Sequence, residues 1–480
     1  MNELELQALL PFMVLAAASV VVILLIAFRM SHTVIQVVGF LMACLVIFSM
    51  WYVKDTLPRE VPPLFIVDGF GALFTGIIIF SMMVVGLFSY IYFEEREENP
   101  KEYYILLFLA TLGAALLTIS RHFISLFIAL EILSVSLYAL IAYLRNRNNA
   151  VEAGIKYLVL AAVSSAFLLF GMALIYMDTG SMEFTAIAQK TTSSNPSVLF
   201  LVGFGIMLVA IGFKLALVPF HFWAADVYQG APSPVGAFIA TISKIGVFAV
   251  LLRFAQTVNL QHNSLAIAVL SAIAMASMIV GNLLALRQQN IKRLVAYSSI
   301  AHFGYLMVAF LPGNAAGLEA AAFYLMAYSV TLLSVFGVIT ILSTRVKDAE
   351  GLAIYKGLFH TRPLLTCVLT ISLLSLAGIP LTAGFVAKFF ILAAGVQQQL
   401  WLPVIVLVLT SVIGLYYYLR IVTTLFSTPA PGTNNTPKTL HPFFYVSTYI
   451  ALVAMTLVLC WLGVFPQALV DGIREFLLIH

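Results

Sequence analysis

Four ionisable side chains stand where a lipid-embedded helix ordinarily carries none. Glu131 is the ninth residue of FISLFIALEILSVSLYALIAYL, which begins at Phe123, and Lys214 lies five residues before Pro219 in IGFKLALVPFHFW. Lys244 is the twelfth residue of the apolar run that begins at Ser233, and Lys388 follows Pro380 by eight residues. Each charge at helix centre costs about 2.5–3.5 kcal/mol on insertion scales, so all four must face a protein interior or water. A desolvated ammonium loses proton affinity and a nearby carboxylate restores it, so such a group can change protonation when its partner moves. The chemistry suits proton transfer. Glu131 is the natural partner of Lys214, Lys244 accepts the proton next, and Lys388 serves the second half of the chain. His221, just past Pro219, and His302, in YSSIAHFGY, are possible relay members. The competing readings are a purely structural Lys–Glu pair, core histidines satisfied by packing, and lysines that snorkel to the interface. Snorkelling suits Lys156 and Arg420, which lie near the ends of their runs. Asp68 reads as a helix cap, Glu319 as a favourable acid near a helix N-terminus, and Asp226 as part of the loop after the Pro219 break.

The elements that must position these groups follow from composition. The chain has 480 residues, 62% hydrophobic and 9% charged, with a mean hydropathy of +1.06. Soluble folds carry roughly 25% charged residues. There are too few here to wet a surface, so the fold class is an all-α polytopic membrane protein. A net charge of +4, thinly spread, excludes a nucleic-acid partner. Cys44, Cys367 and Cys460 lie in apolar runs without CxxC or Cys/His spacing, which argues against a disulfide framework, a zinc site or an iron–sulfur cluster. MNELELQ has no basic residue before the first apolar run, which reads as a permanent span and not a cleaved signal.

A bilayer crossing needs about 20 apolar residues. Fourteen runs qualify: 8–28, 33–53, 65–93, 103–120, 123–144, 155–177, 198–220, 233–252, 264–286, 294–312, 317–343, 364–395, 402–426 and 443–465. The connectors are short, and 466–480 reads as an interfacial amphipathic helix. Connectors after odd-numbered runs hold Arg29, Arg96, Lys101, Arg145, Arg147, Lys156, Arg287, Lys292, Arg293, Arg345, Lys347, Lys356, Arg362 and Lys438. The other side holds Lys54, Arg59, Arg121, Lys190, Arg253 and Arg474. The positive-inside rule then places both termini outside. The seventh run is interrupted at Pro219 and the twelfth at Gly378 and Pro380, each after a run of related texture (157–171 and 324–337). Matched breaks suggest two five-helix units of opposite orientation, as in ion and solute translocators. The expected layout is one membrane domain: three spans over 1–102, a first repeat over 103–256, an inverted second over 264–426, and a last span and tail over 443–480.

With these residues in view, the segment 211–248 (IGFKLALVPFHFWAADVYQGAPSPVGAFIATISKIGVF) resembles the signature of the antiporter-like membrane subunits of respiratory complex I, the NADH-quinone oxidoreductase. DVYQGAPSPV followed by Lys244 is similar to the N type, whose mitochondrial counterpart is the second NADH dehydrogenase subunit. VDGFGALFTG (67–76), QQNIKRLVAYSSIAHFGY (288–305), SLAGIPLTAGFVAKFFIL (375–392) and GLYYYLR (414–420) spread the resemblance over most of the chain. It implies fourteen transmembrane helices with two inverted five-helix repeats. It also implies proton-relay roles for Glu131, Lys214, Lys244 and Lys388. The M type places a glutamate where Lys388 stands, and the L type adds C-terminal spans and a long lateral helix; both differences favour the N type. The second unit lacks a central glutamate of its own.

The family implies no cofactor in this chain, with NAD, FMN, iron–sulfur clusters and quinone in partner subunits. No GxGxxG after a strand contradicts this. The expected partners are other membrane-arm subunits and lipids, in a bacterial inner (plasma) membrane with periplasmic termini. No metal site is expected. The rival functions are a cation/proton antiporter or a subunit of such a complex, a non-transporting scaffold, and an organic-solute carrier. The last lacks a polar constellation large enough for its substrate.

Overall fold

The computed structural model describes residues 2–94, 96, 100–193, 196–258, 263–345, 347–428 and 442–478. Lys438 and most of its connector lie outside the described residues. Each of the fourteen apolar runs is helical over most of its length. The long helices are α1 (Leu10–Ala27), α2 (His32–Val53), α3 (Gly69–Glu94), α4 (Lys101–Ile119), α5 (Phe123–Ile141) and α6 (Asn148–Thr179). The seventh run divides into α7 (Val198–Leu215) and a short α8 (Phe222–Gly230). Then come α9 (Ser233–Val258), α10 (Ser264–Leu286), α11 (Ile291–Phe310) and α12 (Ala315–Leu342). The twelfth run divides into α13 (Pro363–Ala377) and α14 (Ala383–Gln397), followed by α15 (Trp401–Phe426), α16 (Pro442–Val464) and α17 (Gln467–Leu478).

Among the described residues, twelve helices are long and apolar enough to cross a membrane. The two runs not among them are α11, which carries charge at its start, and the broken pair α13–α14. Helices dominate because each satisfies its own backbone groups where no water can. The starts are legible in the side chains. Ser31, Ser197, Asn263, Asn290 and Asn314 each accept a backbone N–H from the first turn of α2, α7, α10, α11 and α12. One feature departs from the all-helical expectation: the connector between α2 and α3 forms a small hairpin, β1 (Arg59–Val61) against β2 (Phe65–Val67).

The helices are not equivalent. The apolar stretch of α9 is entirely buried, whereas α1, α2, α10 and α16 bury about a third of theirs and present the rest outward. Two carboxylates pin α9 at its ends. At its C-terminal end, Arg253 grips both oxygens of Asp68 at 2.7 Å and donates to the Thr118 carbonyl. Asp68 also takes the backbone N–H of Gly71 at 2.7 Å, so the expected cap of α3 is present and also serves as a counter-ion. At the N-terminal end of α9, on the side of the bundle richer in Lys and Arg, Ser233 donates to Asp348 at 2.8 Å. Asp348, 2% exposed, also receives Lys292 at 3.0 Å, Arg147 at 3.1 Å, Tyr92 at 2.7 Å and Arg96 at 3.4 Å. One carboxylate in the α12–α13 connector thus joins α3, α6, α9 and α11.

Burial opposes ionisation of Asp348, but the Lys292 ammonium and Arg96 guanidinium, with the Tyr92 and Ser233 hydroxyls, hold it well below the usual carboxylate range. A depressed native pKa contributes stability that is complete above about pH 4 and lost only as pH falls through the native value. Removing one member of a buried charge cluster costs about 3–5 kcal/mol. Asp348→Ala should therefore lower the thermal unfolding midpoint of the detergent-purified protein markedly. The deficit should stay constant from pH 5 to pH 8; a deficit that shrinks over that window would contradict an ionised Asp348.

Candidate functional site

Both broken helices end in the same way. In α7 the Leu217 N–H reaches the Gly212 carbonyl (2.8 Å) and the Ala216 N–H reaches Phe213 (3.0 Å), with Ala216 at φ +59°. In α13 the Ile379 N–H reaches Leu374 (3.0 Å) and the Gly378 N–H reaches Ser375 (3.0 Å), with Gly378 at φ +81°. These are two copies of the Schellman termination, which requires one left-handed residue just past the helix. The seventh run therefore stops at Leu215, four residues before the Pro219 that marks its break in the sequence. Asp226 lies within α8, the second half of this broken helix, and not in a loop. There it binds Arg293 (2.7 Å) and Lys156 (3.0 Å).

The termination leaves carbonyls without helical partners, and a lysine uses them. Lys388, near the start of α14, folds back to donate to Leu376 O (3.0 Å) and Ala377 O (2.9 Å), the last carbonyls of α13. Its ammonium sits 5.3 Å over the Tyr305 ring. Lys214 lies in the last turn of α7, 3% exposed, and donates to Ser134 Oγ at 2.7 Å, 5.5 Å over the Tyr157 ring. Glu131, one turn before Ser134 on α5, accepts a hydrogen bond from Ser165 at 2.5 Å. Glu131 on α5 and Lys214 on α7 form no ion pair within 4.0 Å; each rests on a serine. Both serines lie on helix surfaces facing the pair, which brings α5, α6 and α7 to one point.

Lys244 is fully buried. A π-helical turn, Ile239–Ser243, immediately precedes it in α9. Such turns widen a helix and concentrate at functional positions. Its ammonium donates to Ser299 Oγ at 2.7 Å, which also accepts the Tyr328 hydroxyl at 2.6 Å. One turn along α11 from Ser299, His302 has Nδ1 2.5 Å from the Tyr324 hydroxyl and Nε2 3.1 Å from that of Tyr418. A small cavity of about 10 Å³ is lined by His302, Tyr324, Tyr328, Thr331, Ser375 and Lys388, among others. Lys388 also borders a larger cleft of about 280 Å³ between α13–α14 and α15, which opens past exposed Phe389 and Val412.

Of the residues singled out from sequence, Lys244, His302 and Lys388 share one polar region, and Glu131 and Lys214 share another. His221 does not join either. It precedes α8, stacks on Phe222 at 4.6 Å, and makes no hydrogen bond to any of the four charged groups. Arg420 does not snorkel: it donates to Leu286 O (3.1 Å) and Gln288 O (2.6 Å) and closes the end of α10. Glu319 pairs with Arg474 of α17 at 3.0 Å. The hydroxyl partners Ser134, Ser165, Ser299, Tyr324, Tyr328 and Tyr418 escaped the sequence reading because serine and tyrosine are ordinary in buried helices. A signal did exist: Ser134 and Ser299 lie three residues from Glu131 and His302, and so on the same helix face. Among the described residues, no group of three His, Cys, Asp or Glu side chains is placed to hold a metal ion.

Buried ammonium groups beside interrupted helices and a polar cavity define a membrane translocator. The family model described as NADH:quinone oxidoreductase/Mrp antiporter, transmembrane, matches residues 120–414. The chain belongs to this family. It is 46% identical over 476 residues to NADH-quinone oxidoreductase subunit N of Methylococcus capsulatus, covering 97% of this chain and 94% of that one. A chain of respiratory complex I from Thermus thermophilus with bound aureothin superposes with a TM-score of 0.82 at 33% identity, over 96% of this chain and 98% of that one. A chain of the archaeal membrane-bound sulfane sulfur reductase gives 0.84 at 26% identity, over 98% of this chain and 96% of that one. A chain of the Mrp complex from a Dietzia species gives 0.83 at 20% identity, over 98% and 97%, and shares the fold.

The two terminations differ in one respect that can be tested. A left-handed residue other than glycine costs roughly 1–2 kcal/mol. Ala216→Gly should therefore raise the unfolding free energy in detergent slightly, by about 1 kcal/mol or less. Gly378→Ala should lower it by about 1–2 kcal/mol or more, since an added Cβ would also lie 2.9 Å from Lys388 Cδ. Shifts of the same sign in both variants would refute the shared geometry.

Proposed function

We propose that this chain is an N-type membrane-arm subunit of a NADH-quinone oxidoreductase and moves protons through Glu131, Lys214, Lys244, His302 and Lys388. The observation that carries this reading is the continuity of its second half. Lys244 reaches Ser299 and Tyr328, and Tyr328 and His302 line the same cavity as Lys388. Near neighbours in sequence support the assembly: the Methylococcus capsulatus relative is named as subunit N of NADH-quinone oxidoreductase. NAD, FMN, iron–sulfur clusters and quinone then belong to partner subunits, and redox events there drive this chain from outside.

The chemistry rests on small energy differences. Lys214, Lys244 and Lys388 are each held by hydroxyls or carbonyls, with no carboxylate in direct contact, so their charged forms are stabilised modestly. Moving a carboxylate from 4 to 8 Å from an ammonium changes their interaction by about 2 kcal/mol at an effective dielectric of about 20. That is roughly a thirtyfold change in proton affinity. A motion of a few ångströms at Glu131 is enough to make Lys214 hold or release its proton, and its charge in turn biases Lys244. Lys388 delivers the proton onward through the second unit.

Two architectural proposals accompany this. The units 103–256 and 264–426 are inverted repeats, supported by their identical Schellman breaks; the first three spans (1–102) and the last span and tail (443–480) flank them. Both termini face the outer side of a bacterial inner membrane, supported by the excess of Lys and Arg in the opposite connectors.

Glu131→Gln and Lys244→Met should each lower redox-driven proton uptake into vesicles severalfold, and NADH–quinone electron transfer with it. His221→Ala should leave both near wild type, since no hydrogen bond links it to the chain of charges. Unchanged pumping and electron transfer in both charge variants, with the complex assembled, would refute the relay. Sodium-dependent transport with no coupling to NADH oxidation would point instead to a cation/proton antiporter complex.

A further inference from the structure

A second branch, of hydrogen bonds and ring contacts, leaves His302 and passes through an amide. From His302 Nε2 the chain runs to the Tyr418 hydroxyl (3.1 Å), and Tyr418 packs against Tyr417 with ring centroids 4.4 Å apart. Tyr417 donates to Asn282 Oδ1 at 3.0 Å. Asn282 Nδ2 in turn donates to the Tyr305 hydroxyl at 2.9 Å and to the Met278 carbonyl at 2.8 Å. Tyr305 closes the circuit beneath the Lys388 ammonium. All of these side chains are buried, and Asn282 is 0% exposed. Gly414 of α15 leaves the room they occupy: a Cβ there would stand 3.3 Å from Asn282 Oδ1 and 3.6 Å from the Tyr417 hydroxyl.

Position gives this amide its meaning. Asn282 lies one helical turn from Leu286, whose carbonyl is held by Arg420 at the Lys/Arg-rich end of α10. One turn is about 5.4 Å. The branch therefore extends from the centre of the relay almost to the face of the bundle where a proton would enter. A hydroxyl or an imidazole passes a proton by accepting one and giving up its own. An amide whose two N–H groups are already committed and whose oxygen only accepts offers no such exchange.

We propose that Asn282 is an insulating residue: it holds Tyr417 and Tyr305 in place while blocking proton conduction between the His302–Lys388 segment and the Lys/Arg-rich face. The inference rests on the proton-relay reading above. Without the block, protons would return along α10 and α15 and dissipate the gradient that the relay builds.

The test uses the assembled complex in proteoliposomes. Asn282→Asp keeps the shape and supplies a group that exchanges protons. Passive proton permeability under an imposed pH gradient should rise by about tenfold or more. NADH–quinone electron transfer should continue while the sustained gradient falls. Asn282→Glu provides the same exchangeable group if the aspartate variant assembles poorly. Asn282→Leu should stay as tight as wild type, and adding His302→Leu to Asn282→Asp should abolish the leak. A tight Asn282→Asp, a leak of equal size in Asn282→Leu, or a leak that persists without His302 would each overturn the assignment. None of these outcomes touches the relay reading, which stands or falls on pumping by the Glu131 and Lys244 variants.

Discussion

The structure depends on keeping one charged helix dry and still. Helix α9 is buried along its whole apolar stretch, yet it carries Lys244 at its middle. A helix in that position cannot adjust by sliding toward water, so its register must be fixed from outside. Asp68 does this at one end through Arg253, and Asp348 does it at the other through Ser233. The same Asp348 binds Lys292 on α11, two turns from Ser299. The contact between Lys244 and Ser299 is thus set by a carboxylate that touches neither. Buried ion clusters contribute little net stability when compared with apolar packing, but they are severe about geometry. Specifying that geometry is their use here.

Between these clamps the backbone is deliberately irregular. A π turn before Lys244 and Schellman ends before Lys388 and after Lys214 free backbone groups at depths where lipid could not satisfy them. Several of the freed groups find partners inside the protein. Lys388 takes the last carbonyls of α13, Trp223 takes Phe213 O, and Ser277 of α10 accepts the Val218 N–H. That last bond joins the two units at the break of the first. The units differ in where the lysine stands: Lys214 precedes its break and Lys388 follows one. Only the second lysine can fold back on the helix end, so the two sites share a backbone motif but hold their charge in different ways.

Much of this was legible before any coordinates. Apolar length located the helices, and four charges at mid-run marked the site. Pro219 announced a break but misplaced it, because the chain turns at Ala216, where nothing in the residue type signals a left-handed conformation. Asp348 was invisible for a different reason. A lone aspartate in a charged connector looks solvated, and only folding brings Arg96, Arg147 and Lys292 to it from three distant segments. The hydroxyl partners were hidden by their ordinariness. Their periodicity relative to Glu131 and His302 was readable, but periodicity alone cannot say which of several serines on a face meets a lysine across the bundle.

The use of hydroxyls in place of carboxylates around Lys214 and Lys244 has an energetic logic. A carboxylate in direct contact with a buried ammonium would hold its proton too firmly to be released by any modest change nearby. A lysine with no acceptor at all would strand its charge at a cost of several kcal/mol. Serine and tyrosine lie between these limits. Their hydrogen bonds to a charged group contribute about 1.5–3 kcal/mol, enough to tolerate the charge yet comparable to what a moving carboxylate can add or remove. Glu131 is accordingly tethered by Ser165 and kept out of direct contact with Lys214, while Ser134 occupies the lysine. The arrangement makes proton affinity depend on distance, and distance is what a neighbouring subunit can change.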